Sequence, residues 1–268
     1  MSPRRRHRFR ERYGPWAVVT GASSGIGRAL ASELAALGLS VVLAARSAPE
    51  LQELAEQLRA KHGTDARPVP VDLARGTGVS ELDAATRELD AGLLVAAAGF
   101  GTSGPFVAAP LETELDMLAV NCAALAAQAH HFGGRFAARG RGGLVLLSSI
   151  VAFQGAPHTA HYAATKAYVH TLAEGLYREL APRGVDVLAC APGPTRTGFA
   201  ARAGLTMGAA AAPESVARAT LAALGRGPAV VPGALAKVLR YSLAPLPRWA
   251  RVRIMGAVMG GMVAPRPQ

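Results

Sequence analysis

The sequence predicts an α/β fold, with a doubly wound parallel sheet of about seven strands and helices on both faces. Short apolar runs alternate along the chain with longer amphipathic stretches, as in a sheet whose strands are buried on both sides. A glycine-rich turn also separates the first apolar run from the first helical stretch, the setting of a nucleotide loop. At 268 residues, half of them hydrophobic, the chain is long enough to bury one large core.

Seven runs are predicted to be strands because they are short, apolar and bounded by turn residues. In chain order they are residues 16–20, 40–45, 67–71, 93–98, 143–147, 185–189 and 229–231. Six stretches between them are predicted to be helices: 28–37, 49–62, 80–90, 111–138, 160–180 and 212–224. We find no internal repeat beyond this alternation and no linker that would split residues 13–234 into two domains.

The ends of the chain differ from its body in charge. The net charge is +11, of which residues 1–12 carry +5 and residues 237–268 carry +6, so the body is neutral. This distribution argues against a nucleic-acid-binding face on the body. We expect residues 1–12 to be a disordered arm. The basic ends either remain solvated or make peripheral contact with an anionic membrane surface.

The two cysteines, Cys122 and Cys190, are isolated in the sequence. Their spacing fits neither a disulfide framework nor a metal site, so we expect no bound metal and a reduced, cytoplasmic compartment. Residues 235–268 form an apolar and basic extension that prolines and arginines interrupt too often for a membrane-spanning helix. It either covers a pocket, packs on a second subunit or lies on a membrane.

The glycine-rich turn predicts a dinucleotide loop. Gly21, Gly25 and Gly27 follow the first strand and open the first helix of the body. Such glycines permit a tight turn and close approach of the backbone, and the helix N-terminus then faces a pyrophosphate. The second strand ends at Arg46, where an NAD site usually has an acid for the ribose 2′-hydroxyl. This arginine favours NADP(H) over NAD(H), because it offers a cation to a 2′-phosphate.

Tyr162 and Lys166 form the candidate catalytic pair. Four residues apart on a predicted helix, they share one face with Cβ atoms roughly 5–6 Å apart. An ammonium beside a phenol favours the phenolate, so we expect a lowered pKa for Tyr162. Such a phenol exchanges protons with an alcohol or carbonyl oxygen. Ser149 follows the fifth strand, and the catalytic and binding residues of an open α/β sheet usually lie at the carboxyl ends of the strands.

Six motifs in order resemble those of the short-chain dehydrogenase/reductase superfamily, over roughly residues 14–232. They are the stretch from Thr20 to Gly27, Asp72-Leu73, Asn121, Ser149, Tyr162 with Lys166, and Pro192-Gly193. The resemblance implies a Rossmann-type fold and hydride transfer between a nicotinamide and a small-molecule carbonyl or secondary alcohol. It also implies a homo-oligomer, either a dimer or a tetramer.

The resemblance implies a role for each matching residue. Tyr162 is then the general acid/base, Ser149 binds the substrate oxygen, and Lys166 binds the nicotinamide ribose and tunes the tyrosine. Asn121 holds a water in a proton relay to Lys166. Cofactor contacts are assigned to Gly21, Ser23, Ser24, Gly25, Ile26, Gly27, Arg46, Asp72, Leu73, Ala98, Gly99, Tyr162, Lys166, Pro192, Gly193, Thr195 and Thr197.

Two departures from the family pattern affect function. After strand four the family usually has Asn-Asn-Ala-Gly, whereas this chain has Ala96, Ala97, Ala98 and Gly99. It therefore lacks two amides that normally support the sheet and the cofactor loop through hydrogen bonds, which weakens the expectation of tight cofactor binding. The Asp-Gly-Gly ending of acyl-carrier-protein reductases is absent. The apolar extension favours a lipid-like or steroid-like substrate, with pocket walls expected from Phe100, Phe106, Val151, Phe153, Phe199 and Met207.

Three functions therefore compete on the same fold. The first is an NADP(H)-dependent oxidoreductase acting on an apolar substrate. The second is a non-catalytic NADP(H)-binding or membrane-surface scaffold, which the missing amides at Ala96 and Ala97 favour and the complete set of Ser149, Tyr162 and Lys166 disfavours. The third is an acyl-carrier-protein-linked 3-oxoacyl reductase, which the C-terminal departure disfavours.

Overall fold

A seven-stranded, all-parallel sheet lies at the centre of the molecule. The computed structural model describes residues 3–206 and 208–263. The strands lie in the order β3-β2-β1-β4-β5-β6-β7, so the chain reverses its direction of winding between β1 and β4. Their bounds are β1 Trp16–Thr20, β2 Ser40–Ala45, β3 Ala66–Pro70, β4 Ala91–Ala96, β5 Gly142–Leu147, β6 Val185–Cys190 and β7 Ala229–Val230.

Helices cover both faces of this sheet, as the alternation in sequence predicts. They are α1 Pro3–Tyr13, α2 Gly25–Ala36, α3 Ala48–His62, α4 Gly78–Thr86, α5 Leu111–Leu118, α6 Leu125–Arg139, α7 Ala160–Leu180, α8 Phe199–Ala203, α9 Pro213–Ala223, α10 Ala234–Leu243 and α11 Arg248–Gly260. One core layer holds side chains of α2, α3 and α9, and the other holds side chains of α4, α6 and α7. The predicted doubly wound α/β fold is confirmed.

The two core layers follow from the alternation of side chains along each strand. In β1, Val19 packs into the layer with α2 while Val18 packs into the opposite layer. Val41 and Val42 of β2 divide in the same way. Because both faces are covered, the strands are apolar at successive positions and show no polar alternation.

Residues 3–12 do not form the disordered arm expected from their charge. They make up most of α1, whose Phe9 and Tyr13 are buried against the sheet. The two rings lie one helical turn apart with centroids 4.7 Å from each other. Tyr13 donates a hydrogen bond of 2.6 Å to Asp186 Oδ2, and Arg12 also pairs with that carboxylate. Two buried rings and an ion pair therefore hold α1 at the start of β6.

The C-terminal extension lies against the body in its described part. Met255 and Met259 of α11 are buried in a small apolar cluster with Ile150 and Val151, which follow β5. Of the three placements that the sequence left open, the structure has the one beside the pocket. Membrane contact and oligomer formation stay predictions. Within residues 3–206 and 208–263, no helix has both the length and the apolar character that crossing a bilayer requires.

Candidate active site

A cavity of about 550 Å³ opens at the carboxyl ends of the strands. It lies beside β1 and β4, between which the strand order reverses, and this is the expected ligand site of an open α/β sheet. All the predicted site residues except Asn121 line it: Gly21, Ser23, Ser24, Gly25, Ile26, Gly27, Arg46, Asp72, Leu73, Ala98, Gly99, Ser149, Tyr162, Lys166, Pro192, Gly193, Thr195 and Thr197. One concave surface therefore unites motifs that are far apart in sequence.

The glycine-rich turn between β1 and α2 forms one end of this cavity. Gly21 and Gly25 adopt positive φ angles of 66° and 56°, which side chains rarely tolerate. A Cβ on Gly27 would overlap the carbonyl of Gly21, so the turn depends on glycine there as well. Ser24 makes no side-chain capping hydrogen bond at the start of α2, which leaves the first-turn amides open to an anion.

The catalytic candidates come from α7 and from the end of β5. Lys166 is buried, and its Nζ donates a 2.8 Å hydrogen bond to the carbonyl of Leu147. That Nζ lies 5.8 Å from the centroid of the Tyr162 ring. Ser149 begins the short 3₁₀ turn Ile150–Phe153, and its hydroxyl accepts a 3.4 Å hydrogen bond from the amide of Val151. The three side chains thus meet at the cavity.

The pKa of Tyr162 shifts in the opposite direction from the one the sequence predicts. Burial raises it to about 12, and a hydrogen bond with Ser149 only partly opposes this rise. Burial also lowers the pKa of Lys166 to about 8, since desolvation penalises its charged form. The expected lowering of the tyrosine pKa by the lysine is therefore wrong for the structure, because burial dominates and the contribution that opposes it comes from Ser149.

Asn121 lies behind the cavity wall in a π-helical turn, Ala119–Ala124, between α5 and α6. Its Nδ2 donates to the carbonyl of Phe100 at 2.8 Å and to Thr165 Oγ1 at 3.0 Å. Its Oδ1 accepts from the amide of Phe100 at 3.1 Å, which leaves one acceptor lone pair. Asn121 therefore ties the segment after β4 to α7. Its predicted water-holding role stays a prediction.

One hydrogen bond and close packing join the end of β4, where the family's two amides are missing, to its neighbours. Ala98 donates its amide to Thr20 Oγ1 at 3.4 Å, which joins the end of β4 to that of β1. A Cβ on Gly21 would lie only 2.8 Å from the carbonyl oxygen of Ala97, so the two backbones are closely packed. Gly99 likewise leaves room for Asn121, whose Oδ1 would be 2.8 Å from an added Cβ. Close packing of small residues thus supports the glycine-rich turn.

The segment after β6 forms another wall of the cavity. Thr195 and Thr197 bond locally, to the carbonyls of Gly193 and Thr195 at 2.9 and 3.5 Å. The methyl group of Thr197 would lie 3.0 Å from a Cβ on Gly25, so this segment packs directly on the glycine-rich turn. In α8, Phe199 places its ring centroid 5.2 Å from that of Tyr162. The same segment therefore faces both ends of the cavity.

The end of the cavity next to β2 and β3 holds Arg46 and Asp72, two residues to which the family resemblance assigns cofactor contacts. Arg46 is exposed at the cavity edge and has no ion pair among residues 3–206 and 208–263. Asp72 follows β3, and its Oδ1 accepts a 3.1 Å hydrogen bond from the amide of Ala74, which fixes the turn. Leu73 beside it is buried. A cation and an acid thus flank this end.

The predicted apolar walls are partly correct. Phe100, Val151 and Phe199 line the cavity. Phe106 and Phe153 do not: Phe106 packs on His161, and Phe153 packs between His170 and Arg240. Both were chosen for their apolar character alone, which does not fix where a ring points. Met207 lies outside the described residues.

Most of the cavity wall that the extension supplies was not predicted from the sequence. The apolar side chains of this wall are Leu239, Met255, Val258, Met259 and Met262. Met255, Met259 and Met262 recur at the spacing of one helix face, so their period was a usable signal. Arg202 of α8 was also missed, because it belongs to no motif.

Comparison with known proteins agrees with this geometry. The family model of short chain dehydrogenases matches residues 15–207. A 7beta-hydroxysteroid dehydrogenase of Clostridium sardiniense is 36% identical over 189 residues, which are 70% of this chain and 72% of that protein. A solved structure from a study of 7beta-hydroxysteroid dehydrogenase stereoselectivity has a TM-score of 0.85 at 28% identity, covering 92% of this chain and 98% of its own.

A second solved structure contains a nicotinamide cofactor. It is a short-chain dehydrogenase from Sphingobium yanoikuyae in complex with NADPH, with a TM-score of 0.80 at 32% identity. The match covers 90% of this chain and 95% of that one. With the family model matched over most of the chain and the expected residues gathered at one cavity, this protein belongs to the short-chain dehydrogenase family.

Proposed function

We propose that this chain is an NADP(H)-dependent oxidoreductase that interconverts bulky apolar ketones and their secondary alcohols. The proposal rests on one observation: Ser149, Tyr162 and Lys166 line the same cavity. That cavity continues from a phosphate-binding turn into an apolar chamber. Membership of the short-chain dehydrogenase family already implies an oxidoreductase that uses a nicotinamide cofactor.

The residues present fit a phosphorylated nicotinamide dinucleotide. The cradle at Gly21, Gly25 and Gly27 has no room for side chains, and the open first turn of α2 offers amide donors to a pyrophosphate. Arg46 directly follows β2, where a 2′-phosphate would need a cation, and no acid follows β2 before Glu50 to bind a ribose 2′-hydroxyl. The Sphingobium yanoikuyae relative is described with NADPH, which supports the same choice.

Each catalytic side chain has a separate task. When bound, the cofactor supplies or accepts the hydride. Tyr162 gives its phenolic proton to the developing alkoxide during reduction and takes it back during oxidation. Ser149 donates a hydrogen bond to the same substrate oxygen and stabilises its charge. Lys166, held by the carbonyl of Leu147, presents its remaining N–H donors towards the nicotinamide ribose.

The shape of the chamber supports a bulky apolar substrate. Phe199, Leu239, Met255 and Met259 give it apolar walls beside Tyr162. Methionine side chains adapt to ligands of different outline, so several ring systems should fit. The hydroxysteroid dehydrogenases among the relatives support a steroid-like ketone as the first class to test.

The non-catalytic alternative rests on one observation. Small apolar side chains, Ala96 and Ala97, stand where the family usually has two amides. A scaffold of this kind would bind NADPH without oxidising it. The missing Asp-Gly-Gly ending and the chamber walls from α11 disfavour a reductase of acyl-carrier-protein substrates.

A turnover assay tests the proposal. Purified protein is mixed with NADPH or NADH at equal concentration and with a panel of ketones that runs from acetone to polycyclic steroids, and loss of the reduced nicotinamide is followed. We expect oxidation of NADPH with bulky ketones and at least roughly tenfold lower kcat/KM with NADH. Binding of NADPH without turnover across the panel would favour the scaffold instead.

A further inference from the structure

A second arginine, Arg202, lines the same cavity as Arg46. Arg46 follows β2, whereas Arg202 belongs to α8, so the two cations reach the cavity from different walls. The acids at the cavity, Asp72 and Asp116, form no ion pair with either arginine. Within the described residues, Arg46 and Arg202 therefore place two positive charges at the cavity, and no acidic side chain forms an ion pair with either.

Arg202 is held in place by the ring of Phe100. Its guanidinium carbon lies 4.4 Å from the centroid of that ring, a cation–π contact. Phe100 is itself fixed, because Asn121 bonds both its amide and its carbonyl. The arginine therefore has a rigid platform next to Gly99, at the end of β4 and beside the glycine-rich turn.

The two arginines lie close enough to affect each other. Burial against the protein, followed by the positive field of Arg46, lowers the pKa of Arg202. Like charges held together at a cavity without a bonded acid cost free energy, and an anion bound between them would relieve that cost. The neighbouring groups are the glycine-rich turn and the open start of α2, both suited to phosphate.

We propose that Arg202 is a second cationic ligand for the phosphate groups of the nicotinamide cofactor, reaching over the cleft from α8 while Arg46 binds from the side of β2. This inference rests on the proposed function. Its chemistry is that of arginine and a phosphate oxygen, which form charge-assisted and often paired hydrogen bonds. The phosphate is either the 2′-phosphate or the pyrophosphate.

Binding by Arg202 would also affect the chemical step through α8. Phe199 lies three residues before Arg202 and packs its ring on Tyr162. The segment that leads into α8 packs on Gly25 through Thr197. Fixing Arg202 on a phosphate therefore fixes the helix that covers the catalytic tyrosine, which links cofactor binding to the shape of the substrate chamber.

Direct binding measurements test this proposal without relying on turnover. Dissociation constants for NADPH, NADH, 2′,5′-ADP and ADP are measured by nicotinamide fluorescence or calorimetry. The variants are Arg202→Gln, Arg202→Lys and a control, Arg178→Gln, which removes an exposed arginine from α7 outside the cavity. For Arg202→Gln we expect the NADPH dissociation constant to rise about tenfold or more. Arg202→Lys should recover part of the loss, and Arg178→Gln should match the parent.

The four ligands separate the two phosphate positions. Weaker binding of NADPH and 2′,5′-ADP alone would place Arg202 on the 2′-phosphate, whereas weakening that extends to NADH and ADP, which have a diphosphate but no 2′-phosphate, would place it on the pyrophosphate. Unchanged constants for all four in Arg202→Gln would overturn the proposal while leaving the proposed function intact. An effect confined to the KM of acidic ketones would overturn it too, by making Arg202 a substrate ligand. Failure of the parent to bind NADPH would instead remove the proposed function itself.

Discussion

In the proposed mechanism, the protonation state of Tyr162 sets how the reaction rate responds to pH. Its pKa of about 12 means that the phenol carries its proton throughout the neutral range. Reduction uses that protonated form, whereas oxidation needs the phenolate, whose population rises tenfold per pH unit below the pKa. We therefore expect kcat/KM for alcohol oxidation to rise from pH 7 to pH 10, while the phenol does not limit reduction there.

Initial rates in both directions over that range provide the measurement. A buffer series at constant ionic strength serves as the control for salt effects. An oxidation rate already level at pH 7 would contradict the expectation. It would mean that Lys166 lowers the pKa of Tyr162 in the complex, as the sequence first suggested.

Under the proposed function, Arg46 is the residue that favours NADP(H) over NAD(H). An arginine about 4 Å from a 2′-phosphate gains on the order of 4 kcal/mol before desolvation is subtracted. Arg46→Asp replaces that attraction with repulsion and adds an acceptor for a ribose hydroxyl. We expect the ratio of NADPH to NADH affinity to fall by roughly a hundredfold, measured by fluorescence titration. Arg178→Asp serves as the charge control, and an unchanged ratio in Arg46→Asp would mean that other groups read the 2′-phosphate.

The first helix, α1, packs on the body of the protein although most of its residues are charged. Phe9 is 7% exposed and packs against the sheet with Tyr13. Phe9→Ala should lower the free energy of unfolding by about 3 kcal/mol, since the ring leaves a cavity. Arg6→Ala, an exposed change on the same helix, is the control. Urea unfolding followed by circular dichroism measures both, and equal midpoints for the two variants would mean that α1 contributes nothing.

The helix α11 lines the cavity, and we propose that it sets the width of the part that takes the substrate. Met259 is buried and lines the cavity, whereas Ile254 on the same helix is 38% exposed and does not. Met259→Phe should narrow the chamber and lower kcat/KM for polycyclic ketones about tenfold, with little effect on a small ketone. Ile254→Phe should leave both values near those of the parent. A parallel loss for large and small ketones would instead indicate a general disturbance of the site.

Much of this architecture was predictable because it follows from periodicity and from where parallel strands end. Residues 40–45 and 160–180 were predicted with the bounds that the structure gives β2 and α7. Most site residues of the motifs converge because they follow strands, and parallel strands end at one edge, while Tyr162 and Lys166 reach that edge from α7.

Other features were unpredictable because they depend on packing between distant segments. Residues 1–13 contain six arginines, so their average hydrophobicity is low and does not reveal that Phe9 and Tyr13 can pack against the sheet. The direction of the Tyr162 pKa shift depends on how deeply the phenol is buried, which helical spacing does not show. Arg202 gained its position from the ring of Phe100, about one hundred residues away in sequence.

The central claim is that Tyr162 exchanges a proton with a carbonyl substrate on a chain that binds NADPH. The most direct measurement compares the parent with Tyr162→Phe, which keeps the ring packed on Phe199 and removes only the hydroxyl. NADPH oxidation with a steroid ketone is followed alongside the dissociation constant for NADPH. We predict a fall in turnover of about a hundredfold or more with nearly unchanged NADPH binding. Turnover by Tyr162→Phe at the rate of the parent would contradict the assignment of Tyr162 as the proton donor.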